Sequence, residues 1–339
     1  MQTFAPIREK LNPQITAQKT FDLIRTEMAL VEGEFERQAS SNIQVINYLG
    51  DYLRSSGGKR VRPALLVLTN YAVGGNGSES DVIRLATVME MLHTATLVHD
   101  DIIDNSGLRR SRSSVNARFG NQTAVLMGDW LYMSAFETTV RERSLEILDI
   151  LTRLTRKMTE GELIQLTMIG RLDISVEDYF DILRRKTAFL FSACCEIGAI
   201  LGGASLPQQE ALRDFGLNLG IAFQLADDLL DVTSNAEKLG KTAGADLLEG
   251  KLTLPLIFLI ESEPSVRSDL ERVMLDGEYS RFPRQTLINK LESHGTLDKI
   301  RGHAATFAEH ARKNLEVLLK TEYRSALEDI PGFVIDRSA

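Results

Sequence analysis

Two stretches of the chain repeat one acidic pattern. In "LVHDDIIDNSGLRR" (Leu97 to Arg110) the carboxylates are Asp100, Asp101 and Asp104; in "ADDLLDV" (Ala226 to Val232) they are Asp227, Asp228 and Asp231. Each trio closes an otherwise apolar segment with helical periodicity. Unpaired charge beside a buried surface is costly, so the pattern calls for a chemical reason. A helical residue turns by about 100°, so Asp100 and Asp104 share a face, as do Asp227 and Asp231. No histidine or thiolate stands among these acidic ligands, and hard oxygen donors suit Mg²⁺ or Mn²⁺ rather than zinc. Mg²⁺ takes one or two carboxylates, keeps waters, and completes its shell with phosphate oxygens. Two such clusters facing each other would hold several ions around one polyphosphate. A single trio reads equally well as a solvated acidic helix end; a matched pair does not.

Cations surround both trios. Lys59, Arg60 and Arg62 in "GGKRVRPALL" precede or open a predicted helix, where the dipole also favours anions. Arg109 and Arg110 follow the first trio, Lys241 and Lys251 the second, and "RRKTAF" supplies Lys186 and Thr187. Each alone reads as an ordinary surface charge; their shared placement beside acidic helix ends is the informative feature. Arginine suits bidentate phosphate contacts and lysine acts as a point charge. A diphosphate ester bound in this way becomes a good leaving group. If the ester is allylic, departure leaves a delocalised carbocation that a dry apolar cavity protects. An alkene of a second substrate can then attack it.

Helices must position these groups. Helical periodicity runs nearly throughout, strand-like alternation is missing, and only eight prolines occur in 339 residues. Asp81 is a natural N-cap for a helix over "DVIRLATVMEMLHTATLVHDD", whose apolar residues cover almost the whole circumference, as in a buried helix. Another helix is expected from near Pro63 to just before Gly74-Gly75. Further helices are expected at about 115–140, 146–170, 176–202, 208–232 and 247–262, with more after 266. The joints between them are too short for disordered linkers. The expected fold class is therefore all-α: one domain over residues 1–339, a single large helical bundle around a central apolar cavity.

The bulk numbers agree with a globular protein, at 43% hydrophobic and 25% charged residues. A net charge of −8 argues against nucleic acid as a partner. The adjacent Cys194 and Cys195 in "FLFSACCEIGAI" read as small core hydrophobes in a reducing compartment. No secretory signal or transmembrane segment is expected, which points to a cytoplasmic protein.

In order, "GGKRVRP", "HDDIID…RR", "GELIQL", "KTA", "FQLADDLLD" and "GKTAGADLLEGKLTLP" resemble the motifs of the trans-isoprenyl diphosphate synthases, also called polyprenyl synthetases, over roughly residues 40–330. The resemblance implies a helical fold around a cavity, usually in a homodimer. It implies head-to-tail condensation of isopentenyl diphosphate with an allylic diphosphate (dimethylallyl, geranyl, farnesyl or geranylgeranyl), dependent on Mg²⁺, three ions per site, with Mn²⁺ as an alternative. Carried over residue by residue, Asp100, Asp104 and Asp227 bind metal, and Asp101, Asp228 and Asp231 support them directly or through water. Arg109, Lys186, Lys241 and Gln224 hold the allylic diphosphate, with Lys251 nearby. Lys59, Arg62, His93 and Arg110 hold isopentenyl diphosphate; His93 lies two helical turns before Asp100. Thr187 and Gln165 face the reacting carbons, and the departing diphosphate removes the final proton.

Two departures stand out. The family often shows Arg-Arg-Gly-x-Pro-Thr after the first trio, where this chain has Arg109-Arg110-Ser111-Arg112-Ser113-Ser114. The usual Gly-Lys-Pro is here Gly240-Lys241-Thr242.

Product length should be read along the helix that carries Asp100. Thr96 and Ala95, four and five residues before it, form the first wall, and Leu92 lies one turn further. Short-chain relatives place an aromatic ring here, whereas alanine and threonine leave the path open. One turn rises about 5.4 Å, near one isoprene unit, so the open path predicts a product of about 35 to 45 carbons, of the octaprenyl or solanesyl kind used for quinone side chains. The tunnel floor is expected among Leu163, Leu166, Met168, Trp130 and Phe136. The alternatives are a shorter-chain synthase making geranylgeranyl or farnesyl diphosphate, a non-catalytic partner subunit, and a class I terpene cyclase. Six retained aspartates argue against the last two.

Overall fold

The computed structural model describes residues 19–55, 57–234 and 243–336. Two N-terminal helices, α1 (Arg25–Gln38) and α2 (Gln44–Ser55), precede α3 (Val61–Ala72) and the long α4 (Ser80–Ile103). A short hairpin, β1 (Leu108–Arg109) and β2 (Arg112–Ser113), leads into α5 (Val115–Phe119) and α6 (Asn121–Arg141). Then come α7 (Leu145–Met168), α8 (Val176–Leu183), a π turn (Arg184–Ala188), α9 (Phe189–Leu201) and α10 (Leu206–Thr233). The C-terminal part contains α11 (Ala245–Leu248), α12 (Leu254–Ser262), α13 (Arg267–Asp276), α14 (Arg284–Ser293), α15 (Thr296–Asn314) and α16 (Glu322–Asp336). Apart from the hairpin, the described residues form no strand, so the all-α expectation holds.

The core follows from the sequence pattern. Helix α4 packs along α6, α3 lies against α9, and α10 is sandwiched between α9 and α15. Buried apolar residues form two clusters, and α10 contributes to both, through Leu212 to Ala226 in one and Ile221 to Val232 in the other. Such a helix cannot be withdrawn without opening both clusters, since each buried leucine or phenylalanine contributes about 1.5–3 kcal/mol. Cys194 and Cys195 are fully buried and unbridged, as expected for core hydrophobes. Among the described residues no helix is long and apolar enough to cross a membrane.

Four local expectations need correction. Helix α4 begins at Ser80 with Glu79 as N-cap; Asp81 sits in the first turn, where its carboxylate accepts the Val82 N–H at 2.8 Å. The helix expected at 115–140 breaks at Gly120, whose φ is +86°. The one expected at 176–202 contains the π turn. The one expected at 247–262 splits at Gly250 (φ +76°), before Pro255 enters the first turn of α12.

Candidate active site

The C-terminal halves of α4 and α10, together with α7 and the π turn, surround a cavity of about 1490 Å³. That exceeds the roughly 300–1,000 Å³ typical of small-molecule pockets. Asp100 and Asp104 line it from one side, Asp227 and Asp228 from the other. Both trios sit in the last turns of their helices, where the macrodipole is itself negative. Carboxylates packed at two such ends create a standing demand for cations.

The first trio meets that demand with side-chain cations. Asp101 is buried and accepts two bonds from Arg109, from Nε at 2.9 Å and Nη2 at 2.5 Å. Asp104, the C-cap of α4, accepts from Lys251 Nζ at 2.9 Å; the same ammonium bonds Glu249 at 2.7 Å. Burial would lower the Lys251 ammonium, but Asp104 and Glu249 outweigh it and raise it. Burial, and then the nearby Glu162, pushes the Asp100 carboxyl up to about 7.

The second trio is held differently. Asp228 is buried and accepts the Tyr179 hydroxyl at 2.5 Å and the Gln224 amide at 2.9 Å. Burial, then the charge of Asp246, pushes it up to about 8. Asp231 is buried and accepts the backbone N–H of Asp246 at 3.3 Å. Gln224 also receives the Thr187 hydroxyl at 2.8 Å. A chain of bonds runs from Thr187, which lines the cavity, through Gln224 to Asp228.

Lys186 and Thr187 lie in the π turn, a device that re-aims successive side chains. Gly161 of α7 makes room for it: a Cβ there would lie 2.7 Å from the Arg185 Cβ. Lys186 bonds Glu162 at 2.8 Å and also donates to Gln165.

Lys59, Arg62, His93 and Arg110 line the same cavity. Arg62 stands over the Phe191 ring, its Cζ 4.9 Å from the centroid. Burial lowers its basicity, with Glu90 and Asp227 opposing. Burial, then Arg62 and Arg110, drives the His93 imidazole well below its usual range, so it is neutral at pH 7. Arg60 turns from this group to bond Glu90 at 2.6 Å and Glu32 at 2.5 Å.

Most residues singled out from the sequence therefore converge, including Gln165, Gln224 and Lys251. Lys241 lies outside the described residues. The three chain-length positions divide: Thr96 lines the cavity, whereas Ala95 and Leu92 are packed in the core and do not. Leu163, Leu166 and Met168 line it too; Trp130 and Phe136 do not. Sequence reasoning missed Glu90, Glu162, Tyr179, Asp246 and Glu249. Glu162, Asp246 and Glu249 lie inside quoted motifs and had a signal; Tyr179, 49 positions from Asp228, had none.

The donors fit a hard divalent cation: they are carboxylate oxygens crowded at two negative helix ends, with burial raising Asp100 and Asp228. Among the described residues, no three His, Cys, Asp or Glu side chains converge into a complete metal site. Phosphate oxygens and water would have to finish the shell.

The comparisons agree with this geometry. The polyprenyl synthetase family matches residues 43–282. The octaprenyl diphosphate synthase of Escherichia coli is 37% identical over 94% of this chain and 98% of its own. A geranylgeranyl diphosphate synthase of Methanosarcina mazei is 35% identical over 84% of this chain and 88% of its own. A polyprenyl synthase from Caulobacter crescentus, solved in complex with calcium and isoprenyl diphosphate, superposes with a TM-score of 0.90 at 37% identity, covering 95% of this chain and 98% of that one. A helical cavity lined by both acidic trios and by a group of cations, together with these matches, makes this chain a member of the polyprenyl synthetase family, whose enzymes are prenyltransferases.

Proposed function

We propose that the protein condenses isopentenyl diphosphate head-to-tail with an allylic diphosphate, making an all-trans polyprenyl diphosphate of the length used for quinone side chains. One observation carries the reading: two acidic helix ends and a set of cations open on a single cavity whose wall also carries apolar side chains, among them Leu163, Leu166, Leu183 and Leu190. Lys186, Arg109 and Gln224, with Lys241, would hold the allylic diphosphate, and Lys251 lies beside them. Lys59, Arg62, Arg110 and the neutral His93 would hold isopentenyl diphosphate. Asp100, Asp104 and Asp227 would hold Mg²⁺, three ions per site with Mn²⁺ as a substitute, backed by Asp101, Asp228 and Asp231. Bound metal would neutralise charge developing on the departing diphosphate.

The chain's own residues do the rest. The cations orient the two diphosphates so that the alkene faces the allylic carbon. The Thr187 oxygen, turned by its bond to Gln224, faces the developing positive charge. Met158, Leu183 and Leu190 keep water from the cation. No protein base is needed, since the released diphosphate can take the proton.

A long product is favoured by the cavity volume, by the small Thr96 on its wall, and by the octaprenyl relative. The geranylgeranyl relative favours a second reading, a shorter-chain synthase. The whole chain works as a single domain, and a second copy would cover the exposed Leu126, Met133 and Val140, spaced on one flank of α6. Two buried, unbridged cysteines suit a cytoplasmic location. The test is one incubation with Mg²⁺, labelled isopentenyl diphosphate and allylic primers of several lengths, with products separated by chromatography. Products of about 35 to 45 carbons, the length argued from one unit per helical turn, are expected. Products that stop at about 15 or 20 carbons support the shorter-chain reading; no consumption of isopentenyl diphosphate refutes both.

A further inference from the structure

Arg109 and Arg110 are neighbours in sequence and both line the cavity, yet they have different partners. Arg109 grips Asp101 in the first acidic trio. Arg110 lies against Gly58, next to Lys59, so closely that a Cβ on Gly58 would meet its Nη1 at 2.6 Å. The hairpin makes this division. Leu108 pairs with Ser113 and Arg109 with Arg112, which leaves Arg110 and Ser111 as a two-residue turn. Both have positive φ, 52° and 62°, as a type I′ turn requires. Such turns favour glycine and asparagine at these positions, and this one has neither. Something outside the turn must hold it.

Two anchors are visible. At the base, the Ser114 hydroxyl donates to the Ser106 carbonyl at 2.6 Å, and the Ser106 N–H donates to the Asp101 carbonyl at 2.9 Å. On the far side stands Tyr52 of α2. Its hydroxyl donates to the Ser113 carbonyl at 2.6 Å. Its ring lies between two guanidinium groups, Arg112 at 4.8 Å and Arg118 at 4.7 Å, and meets Phe119 edge-on at 5.3 Å. Arg112 also donates to Ser55 of α2 at 2.8 Å. Tyr52 is 7% exposed, so its own place is set by the core.

We propose that Tyr52, with Arg112, is a positioning residue that locks the arginine hairpin and so fixes how Arg109 and Arg110 divide between the two diphosphates. The proposal rests on the functional reading above. Tyr52 does not line the cavity; it acts through the Ser113 carbonyl and the Arg112 guanidinium.

Tyr52→Phe keeps the ring and removes the hydroxyl bond. Since one arm holds both arginines, KM should rise about fivefold for isopentenyl diphosphate and for the allylic primer together, with kcat within about twofold of wild type. A role in packing alone would lower the melting temperature and leave both KM values in place, and that result overturns the proposal. A rise in one KM alone also overturns it. If Tyr52→Phe does not fold, Arg112→Met, at a partly exposed position, is expected to raise both KM values about threefold; unchanged values there refute the proposal. Ser111→Gly relieves the positive φ and should raise the melting temperature with both KM values unchanged, and a lower melting temperature contradicts the turn assignment. Amide hydrogen exchange over residues 107–114 is the readout that does not depend on activity. Faster exchange in Tyr52→Phe supports the lock and unchanged exchange overturns it. Wild-type protein that consumes no isopentenyl diphosphate would refute the functional reading instead.

Discussion

The two acidic trios have the same spacing and opposite surroundings. Around Asp100, Asp101 and Asp104 the partners are cations on flexible stems: Arg109 from the hairpin and Lys251 from the segment after α11. Around Asp228 the partners are neutral donors on packed helices, the Tyr179 hydroxyl and the Gln224 amide, with the Asp246 backbone supporting Asp231. A metal or diphosphate approaching the first trio can exchange with side chains that swing away. At the second trio it meets Asp228, already oriented by two donors on packed helices. Identical spacing thus yields different surroundings, set partly by near neighbours such as Arg109 and Gln224 and partly by residues distant in sequence, Lys251 and Tyr179.

The difference can be broken or sharpened by substitution. The largest effect should come from the carboxylates that face the cavity. Asp100→Ala or Asp227→Ala should each lower kcat by about 10³-fold, the scale seen when a group stabilising transition-state charge is removed; steady-state rates check it, and a trio that can lose its aspartate cheaply is not part of the site. Next is stability. Tyr179→Phe leaves a buried acceptor on Asp228 short of a partner and should cost about 1–3 kcal/mol. Arg109→Gln removes a charge from a side chain 35% exposed but keeps an amide donor within reach of the buried Asp101, and should cost less, about 1 kcal/mol. Urea titrations of the two variants decide it, and the reverse order would undo the contrast between the trios.

Chain length comes third. Thr96→Phe places a ring on the cavity wall and should shorten the product. Ala95→Phe, at a position with no exposure, should chiefly overpack the contact between α4 and α6 and cost about 1–3 kcal/mol. Product chromatography beside thermal melts separates the two. The smallest effect is expected of Lys251→Met. Taking the ammonium off Asp104 should tighten Mn²⁺ binding without diphosphate by about two- to fivefold, as for a partly exposed ion pair, measured by electron paramagnetic resonance of free Mn²⁺.

Much of this was legible in the sequence because helical periodicity over 20 or more residues is a strong signal. Helix α4, the apolar run into Asp100, and the matching run into Asp227 were all readable, and so was the convergence of Lys59, Arg62 and Lys186 on one cavity. What was not legible depends on short or distant features. The hairpin has two residues per strand, too few for a period-2 pattern, and its turn uses Arg110 and Ser111 rather than the residues such turns favour. The π turn adds one residue to a helix whose hydrophobic pattern continues on both sides. Ala95 was expected on the cavity wall from spacing alone; the rotation of α4 turns it toward α6 and leaves Thr96 facing inward. Tyr179 supports the site from α8, an element whose contact with Asp228 exists only in three dimensions.

The central claim is that both acidic helix ends hold one diphosphate head group through divalent cations. Isothermal titration of inorganic pyrophosphate into the protein with Mg²⁺ tests it directly, using wild type, Asp100→Asn and Asp227→Asn. Wild type should bind only when Mg²⁺ is present, and each variant should lose at least tenfold in affinity, about 1.4 kcal/mol. Wild-type affinity in either variant, or binding indifferent to Mg²⁺, would contradict it.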